Sequence, residues 1–133
     1  MLFRSFEMAD RVNAAYNRHD WNAVAAIEAG ATYVNHRQLV SPDPETIADH
    51  WRSIRALAAL IPDMWIEAAE IITHSAIGLV SGGAVKGRTP EGAFIEFPAI
   101  TLNIFDGTRV TRLEAFDVDQ RDLAVARFQE FSG

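Results

Sequence analysis

Polar side chains, most of them uncharged, recur at alternate positions on two strand-like segments. Their types and spacing suit the binding of a small organic molecule. Thr101 and Asn103 share a face that is otherwise mostly apolar, and Tyr33, Asn35 and Arg37 alternate along an earlier segment. Alternate residues of a strand point to the same side. A few hydroxyls and amides in apolar surroundings are typical of a ligand cavity. We therefore expect these residues to line a pocket, with a solvated strand end as the alternative for Arg37.

Two acidic residues near the end of the last strand-like segment are candidates for acid–base chemistry. Glu114 and Asp117 fall on opposite faces of that segment, and a slip of one residue would exchange the two faces. We favour the register that buries the leucine and alanine at 113 and 115 and turns Asp117 inward. Glu114 would then be an exposed partner of Arg112 or Arg37. The alternative for Asp117 is to cap the final helix.

Composition and missing motifs exclude several classes of site. The chain has 133 residues, no cysteine, and 12 basic against 18 acidic residues, for a net charge of −6. No basic cluster suggests a nucleic-acid surface, and neither a dinucleotide-binding nor a Walker motif is present. The four histidines lack metal-ligand spacing. We expect no cofactor, no metal and no nucleic acid. No apolar run is long enough to span a membrane and no signal peptide is recognisable, so a cytoplasmic location is expected.

Three amphipathic segments predict helices in the first half of the chain. Phe6, Ala9, Val12 and Tyr16 recur at helical spacing. Asp20 is a predicted N-cap for a second helix that runs to residue 28 and ends at a glycine. A third stripe then leads to Pro62, and its apolar residues are Ile47, Trp51, Ile54, Ala58 and Ile61. Turn chemistry at 41–44 separates this helix from the first strand.

The second half of the chain changes to a period of two residues. It predicts strands at about 64–73, 76–87, 93–105 and 109–117, followed by a last helix. Ser81-Gly82-Gly83 predicts a bulge that curves the sheet. We expect one α+β domain over 1–133, with a cone-shaped, curved antiparallel (mixed) sheet wrapped around three N-terminal helices.

The strand at 93–105 is apolar at both odd and even positions. A sheet that packs on helices on one side only should present polar residues on its other face. Both faces of this strand are therefore expected to be covered. The C-terminal helix can cover part of the second face, and a partner subunit is the simpler explanation for the rest. We predict a homodimer that forms through the sheet.

Several short motifs, in this order and spacing, resemble the SnoaL-like (polyketide cyclase-like) group of the nuclear transport factor 2-like superfamily. The resemblance covers nearly the whole chain. The motifs are Tyr16-Asn17-Arg18-His19-Asp20-Trp21, Asn35-His36-Arg37, Ile61-Pro62-Asp63, Val85-Lys86-Gly87, Asp106-Gly107-Thr108-Arg109-Val110 and Phe116-Asp117.

The resemblance implies a bent sheet around a pocket that three helices roof. Similar proteins include polyketide cyclases, ketosteroid isomerases, epoxide hydrolases and dehydratases, together with domains that only bind ligands or partners. The enzymes among them use one or two carboxylates in an apolar cavity without a metal. Burial can raise the pKa of such a carboxyl toward the working pH.

Transferred residue by residue, the resemblance gives a mixed set of candidates. Asn35 occupies the position of the isomerases' Asp base, and an amide cannot take that proton at neutral pH. Tyr33 and Asn35 resemble the Tyr-x-Asn of epoxide hydrolases, but their Arg-x-Asp pair is missing near 80–82. Thr101 lies near the isomerases' oxyanion-hole Asp. Asp117 resembles the Asp that ends the last strand of SnoaL-type cyclases.

Two hypotheses remain. In the first, the chain binds an apolar, polycyclic or carbonyl compound and acts on it as a cofactor-free isomerase, cyclase or dehydratase. Asp117 (or Glu114) would be acid or base, Asn35 and Thr101 would orient the substrate, and Tyr16 or Tyr33 would donate a hydroxyl. Trp21 and Trp51 would form apolar wall. In the second, the same fold is a non-catalytic sensing or dimerisation module.

Overall fold

The computed structural model describes residues 2–38 and 46–132, so the turn predicted at 41–44 lies outside the described residues. The helices are α1 (Leu2–Asn17), α2 (Trp21–Glu28), α3 (Ile47–Leu60) and α4 (Arg121–Ser132). The strands are β1 (Thr32–Asn35), β2 (Trp65–Ser75), β3 (Gly78–Arg88), β4 (Phe94–Asp106) and β5 (Arg109–Phe116). This order of elements confirms the predicted α+β class.

The five strands form one mixed sheet in the order β1-β5-β4-β3-β2. β1 pairs with β5 in parallel, and every other neighbouring pair is antiparallel. Register places Tyr33 opposite Leu113, and Thr101 opposite both Ala115 and Ser81. These side chains share the face that we call the inner face, which packs under α1, α2 and α3. The other side of the sheet is the outer face.

The sheet is bulged, but not where the sequence predicted. Ser81-Gly82-Gly83 pairs continuously with β4, whereas the register shifts lie between Ala68 and Glu70 and between Ile71 and Thr73 on β2. The extra residues therefore belong to β2. The glycines of β3 let the β2 backbone approach closely. A Cβ at Gly83 would overlap the carbonyl oxygen of Glu67. The glycines allow β2 to bulge against them, and the bulges bend this edge of the sheet.

The helices begin and end where the local sequence predicts. The Asp20 side chain accepts a hydrogen bond from Ala23 N at 3.2 Å at the start of α2, and Gly30 takes a φ of 77° just after its end. Thr46 caps α3 through Asp49 N. From Trp51 onward, the predicted stripe of α3 packs with Tyr16 and Val24 in one apolar cluster, whereas Ile47 packs on two neighbouring clusters. The three N-terminal helices thus cover the inner face.

The outer face is covered in part by the chain itself. Val80, Ile100, Leu102 and Phe116 form a buried cluster with Ala124 and Phe128 of α4. The C-terminal half of β4 therefore buries its second face against α4, as was expected for part of that face. Near the start of β4, Phe94 remains 52% exposed.

Across the helices that the structure describes, none combines the length and the apolar character needed to cross a membrane.

Candidate functional site

A cavity of about 110 Å³ lies between α1 and the inner face of the sheet. α1 contributes Ala9, Val12 and Asn13 to its wall. The remaining lining residues come from the strands, and they are Ile66, Glu67, Ala68, Ser81, Gly82, Gly83, Ala84, Val85, Phe97, Ala99, Thr101, Asn103 and Phe105. Small residues on β2 and β3 leave this space open, because glycine and alanine cannot fill it.

The predicted polar pair lies in the cavity wall. Thr101 and Asn103 both line it, and the Thr101 hydroxyl is 3.3 Å from the Ser81 hydroxyl on the neighbouring strand. Asn13 faces them from α1. These groups are uncharged hydrogen-bonding groups on a mostly apolar surface, whose lining also includes Glu67. Such a wall suits a neutral molecule with one or two polar atoms.

Next to the cavity, the three aromatic residues predicted as wall form one cluster. Tyr16 packs edge-on against Trp21 with ring centroids 5.4 Å apart, and Trp51 lies 6.1 Å from Tyr16. The cluster contacts Ile66 and Val85, which also line the cavity. Within the described residues, the buried Tyr16 hydroxyl has no hydrogen-bond partner. Burial, and next the nearby Glu28 carboxyl, raise the pKa of Tyr16.

The sequence did not predict a role for Glu28, the last residue of α2. Its side chain is only 2% exposed, and its Oε1 accepts a hydrogen bond from Trp51 Nε1 at 3.0 Å. None of the ion pairs among the described residues includes it. Burial raises the pKa of Glu28 to about 8, although the Trp51 bond acts in the opposite direction. The carboxyl is therefore protonated at neutral pH and can donate or accept a proton.

The residues predicted on β1 form a second polar group beside this one. Tyr33 is buried and stacks on His50 of α3, with ring centroids 4.5 Å apart. Asn35 Oδ1 accepts hydrogen bonds from Arg37 N and Nε, while its buried Nδ2 has no partner among the described residues. Burial, and then the Arg37 charge, lower the pKa of His50 to about 4. His50 is therefore neutral at physiological pH.

Asp117 follows β5 and is engaged in local structure. It is the residue before a short 3₁₀ turn, Val118–Gln120, and its Oδ2 accepts a hydrogen bond from Gln38 N at 2.8 Å. Its own backbone N donates to Gln120 Oε1. Leu113 and Ala115 are buried on the inner face, in the register that we favoured. Asp117 thus joins the segment after β1 to the start of the C-terminal turn and helix.

Glu114 lies on the other side of the sheet, and the expectation that it is exposed is wrong. Its side chain is fully buried between β5 and α4. It accepts two hydrogen bonds from Arg127, at 2.9 and 2.7 Å, and one each from Arg112 and His36. Burial alone would raise its pKa, but these hydrogen bonds outweigh burial and hold the pKa below its ordinary value. Glu114 is a structural anion remote from the cavity.

Two titratable groups, the buried Glu28 and the partly buried His50, escaped the sequence prediction although a signal was present. Glu28 continues the stripe of Val24 and Ile27 at helical spacing, and both of those residues are buried. On α3, His50 lies next to Trp51 and three positions after Ile47, two residues of the apolar stripe. A charged or titratable residue on the apolar stripe of a helix is the pattern that identifies them. The sequence gives no indication of what either group meets across the interface.

No protein-family profile and no curated protein matches this sequence. Solved structures do match its fold. AclR from Streptomyces galilaeus, a proposed hydroxylase, superposes with a TM-score of 0.70 at 14% identity, covering 86% of this chain and 79% of its own. A proposed SnoaL-like polyketide cyclase from Jannaschia sp. CCS1 gives 0.65 at 16% identity, with 94% and 90% covered.

A third structure has the ketosteroid isomerase-like fold and was solved with trimethylamine. This protein, from Catenulispora acidiphila, superposes with a TM-score of 0.65 at 16% identity, covering 84% of this chain and 86% of its own. Identities this low establish shared architecture, since function depends on the site and not on the fold. The chain therefore has the nuclear transport factor 2-like fold, as its resemblance to SnoaL-like proteins implied.

Proposed function

We propose that the chain binds a small, largely apolar organic molecule in the inner-face cavity and acts on it by metal-free acid–base chemistry of the isomerase, cyclase or dehydratase type. The observation that carries this proposal is the cavity itself. Its wall is mostly apolar, with the uncharged polar groups of Thr101, Asn103, Asn13 and Ser81, and its one described carboxylate, Glu67, is paired with Lys86. A water-filled surface cleft would not need that composition, whereas a site that orients an apolar ligand does.

The size of the cavity favours a ligand of about one ring. Its volume is about 110 Å³, and an apolar cavity of roughly 150 Å³ accommodates benzene. A polycyclic compound, the other ligand class that the sequence suggested, would extend beyond this volume toward solvent. Ala9 and Ala99 face the space and set its width.

Acid–base chemistry needs a group that changes protonation near neutral pH. Asn35 cannot supply it, and Glu114 is held ionised by its cations on the outer face. Asp117 remains a candidate at the end of β5, where its Oδ2 already accepts from Gln38 N. Glu28, whose pKa is raised to about 8, meets this requirement, and it lies behind the described cavity wall, bonded to Trp51 of the adjoining aromatic cluster.

A matched pair of substitutions on α1 tests binding. Ala9 lines the cavity, whereas Ala14 on the same helix is exposed. Benzene, cyclohexanone and cyclohexenone are titrated into ¹⁵N-labelled protein and followed by amide chemical shifts. We expect saturable binding that Ala9→Leu weakens by at least about tenfold, since the larger side chain fills the space, and that Ala14→Leu leaves unchanged. If no probe binds, or if both variants behave alike, the cavity is not a ligand site.

Proton exchange at the carbon beside a carbonyl tests the chemistry without knowledge of the natural substrate. In D₂O at a pH near 8, where about half of the Glu28 carboxyl is ionised, the carboxylate removes the α-proton of cyclohexanone, and the resulting enolate takes up deuterium from the solvent. We expect the wild type to accelerate deuterium incorporation, measured by ¹H NMR, and Glu28→Gln to remove the acceleration. Asp117→Asn is measured in parallel, and loss of exchange in that variant alone would transfer the role to Asp117.

One observation favours the non-catalytic alternative, a ligand-sensing module. Of the described residues that line the cavity, Glu67 is the one carboxylate, and it is exposed and paired with Lys86 at 3.0 Å. A site with no unpaired carboxylate among its described wall residues can bind a ligand without catalysing a reaction of that ligand. Binding of cyclohexanone without deuterium exchange would support this alternative over the enzyme.

A homodimer through the outer face is part of the same proposal, with a second copy of this chain as the partner. α4 leaves the start of β4 open, where a groove contains Pro98, the 57% exposed Val118 and charges of both signs. Glu70 pairs with Arg121 at the groove, so the surface can face a copy of itself without like-charge repulsion. Sedimentation velocity should give a dimer that Val118→Asp dissociates. A monomeric wild type would contradict this arrangement.

A further inference from the structure

The polar groups of the cavity wall are concentrated in one section of β4 and its neighbour β3. Thr101 and Asn103 lie about 7 Å apart along the strand, and the Ser81 hydroxyl is 3.3 Å from that of Thr101. The adjacent section of the wall is formed by Ala99 and Gly83, which pair directly across the two strands and carry no polar side chain. A ligand that matches this wall has one polar edge and one apolar edge.

Asn103 is the polar residue of this wall whose position the stability of the fold does not explain. The residues directly opposite it are Leu79 on β3 and Leu113 on β5, and both are buried. Its carboxamide makes none of the hydrogen bonds found among the described residues, although Asn103 lines the cavity. Placing a polar group between apolar neighbours without a protein partner costs free energy. The carboxamide is therefore suited to a polar group of the ligand.

Asn17 shows which groups a carboxamide binds elsewhere in this protein. Its Oδ1 accepts a hydrogen bond from Ile66 N at 2.6 Å, and its Nδ2 donates to Ile66 O at 3.2 Å. One carboxamide thus binds a neighbouring N–H and C=O at the same time, because it carries a donor and an acceptor side by side. Asn103 presents the same two atoms to the cavity.

We propose that Asn103 binds a cyclic carboxamide. The ring N–H donates to Oδ1, the ring carbonyl oxygen accepts from Nδ2, and a hydroxyl of the Ser81–Thr101 pair donates to the same oxygen. This inference rests on the proposed cavity function and deepens it by naming the ligand class: a six-membered lactam, whose N–H and C=O share one edge while methylene groups form the other. A simple ketone would leave Oδ1 without a donor. A carboxylate would meet no cationic side chain among the described residues that line the cavity.

Two probes of equal ring size test the ligand class. Cyclohexanone and δ-valerolactam differ in one ring position beside the carbonyl, which is CH₂ in the ketone and N–H in the lactam. A merely apolar cavity would favour the ketone, because the N–H loses its hydration on binding. We expect the lactam to bind about tenfold more tightly, equivalent to one net hydrogen bond. The titration is followed in ¹⁵N-labelled protein, where the side-chain NH₂ signals of Asn103 should move with the lactam.

Asn103→Leu removes the polar atoms at nearly constant size. The affinity for the lactam should fall at least about tenfold, while that for cyclohexanone stays constant or rises. The midpoint of urea unfolding should rise, because the replaced group has no described protein partner. Asn22→Leu is the matched control on α2, where the side chain is exposed, and it should leave both affinities unchanged. Thr101→Val should weaken both probes by a similar factor, because its hydroxyl serves the carbonyl that they share.

The outcomes separate this inference from the function on which it rests. If cyclohexanone binds at least as tightly as the lactam, or if the Asn103 signals do not move, the ligand class is wrong while the cavity stands. If neither probe binds, the cavity function fails as well. A preference for the lactam that survives Asn103→Leu would overturn the assignment of this residue. Loss of the preference together with a lower urea midpoint would assign Asn103 to the stability of the fold and overturn the inference too.

Discussion

Trp51 Nε1 on α3 donates a 3.0 Å hydrogen bond to Glu28 Oε1 on α2. The described hydrogen bonds include no other to this carboxyl. The bond joins residues 23 positions apart in sequence on two helices and fixes a buried acid next to the aromatic cluster that contains Tyr16. An arrangement that served stability alone would more simply place an apolar residue at 28, because burying a carboxyl costs free energy.

Replacing Trp51 by Phe should raise the pKa of Glu28 further, because the lost hydrogen bond is the contact that lowers it. Unfolding should also become easier by about 1–3 kcal/mol, for a lost hydrogen bond and a smaller ring. The pKa is read from the ¹³C shift of the Glu28 carboxyl. Trp21→Phe is the control, since Trp21 packs in the same cluster and should leave that pKa unchanged. Equal pKa shifts in both variants would contradict the assignment.

Glu28 should make the protein less stable as pH rises. Its folded pKa of about 8 exceeds the ordinary 4.5, so between these values the folded state binds more protons than the unfolded state. Its contribution to the free energy of unfolding is fully present below about pH 4.5 and is lost as the pH rises to about 8. The loss is at most about 1.4 kcal/mol per pH unit. In urea unfolding at pH 5, 6.5 and 8, the free energy of unfolding of Glu28→Gln should rise relative to that of the wild type at each higher pH. A constant difference across pH would refute the raised pKa.

Glu114→Gln should destabilise the protein by roughly 1.5–3 kcal/mol at pH 7, because the buried anion that accepts hydrogen bonds from the partly exposed Arg112 and Arg127 is lost. The wild-type contribution is present above the ordinary carboxyl pKa and is lost as pH falls through the lowered value. Arg127 also pairs with the exposed Glu130 at 3.0 Å. Glu130→Gln is therefore the matched control and should cost less than about 1 kcal/mol. If the two variants lose similar amounts of unfolding free energy in urea, burial of the carboxylate does not decide how much it contributes to stability.

Gly83→Ala should weaken the pairing of β2 with β3, since its Cβ would overlap the Glu67 carbonyl and lie 3.2 Å from Ala68 Cα. Overpacking against backbone costs roughly 1–3 kcal/mol. At Gly82, the nearest atom to an added Cβ is Glu70 Cγ at 3.4 Å, on a flexible side chain. Gly82→Ala should cost less in chemical denaturation. If Gly82→Ala proves the more damaging, the close approach has been placed on the wrong glycine.

Much of the fold could be predicted because periodicity is a local property. The stripe of α3 and the alternation of β4 identify their elements and the faces that they bury. The same alternation correctly placed Thr101 and Asn103 on one face of β4, where both line the cavity. The bulge was assigned to the wrong strand because a glycine permits close approach without showing which neighbour takes the extra residue.

The site was only partly predictable. Asp117 and Glu114 are similar acids in one short segment, yet one accepts a single backbone hydrogen bond from Gln38 and the other is surrounded by Arg112, Arg127 and His36. Glu114 owes its exclusion from water to α4, which its position on β5 does not reveal.

The sequence by itself determined the order of elements, the face on which each side chain lies, and hence a sheet roofed by helices around a space that small residues leave open. Only the tertiary structure decided that Glu28 is a buried neutral acid, that Glu114 is a structural anion, and that no described residue pairs with the Tyr16 hydroxyl. The reason is physical: alternation and helical stripes are set by bonds along the chain, whereas burial, hydrogen-bond partners and pKa depend on groups that only folding brings together.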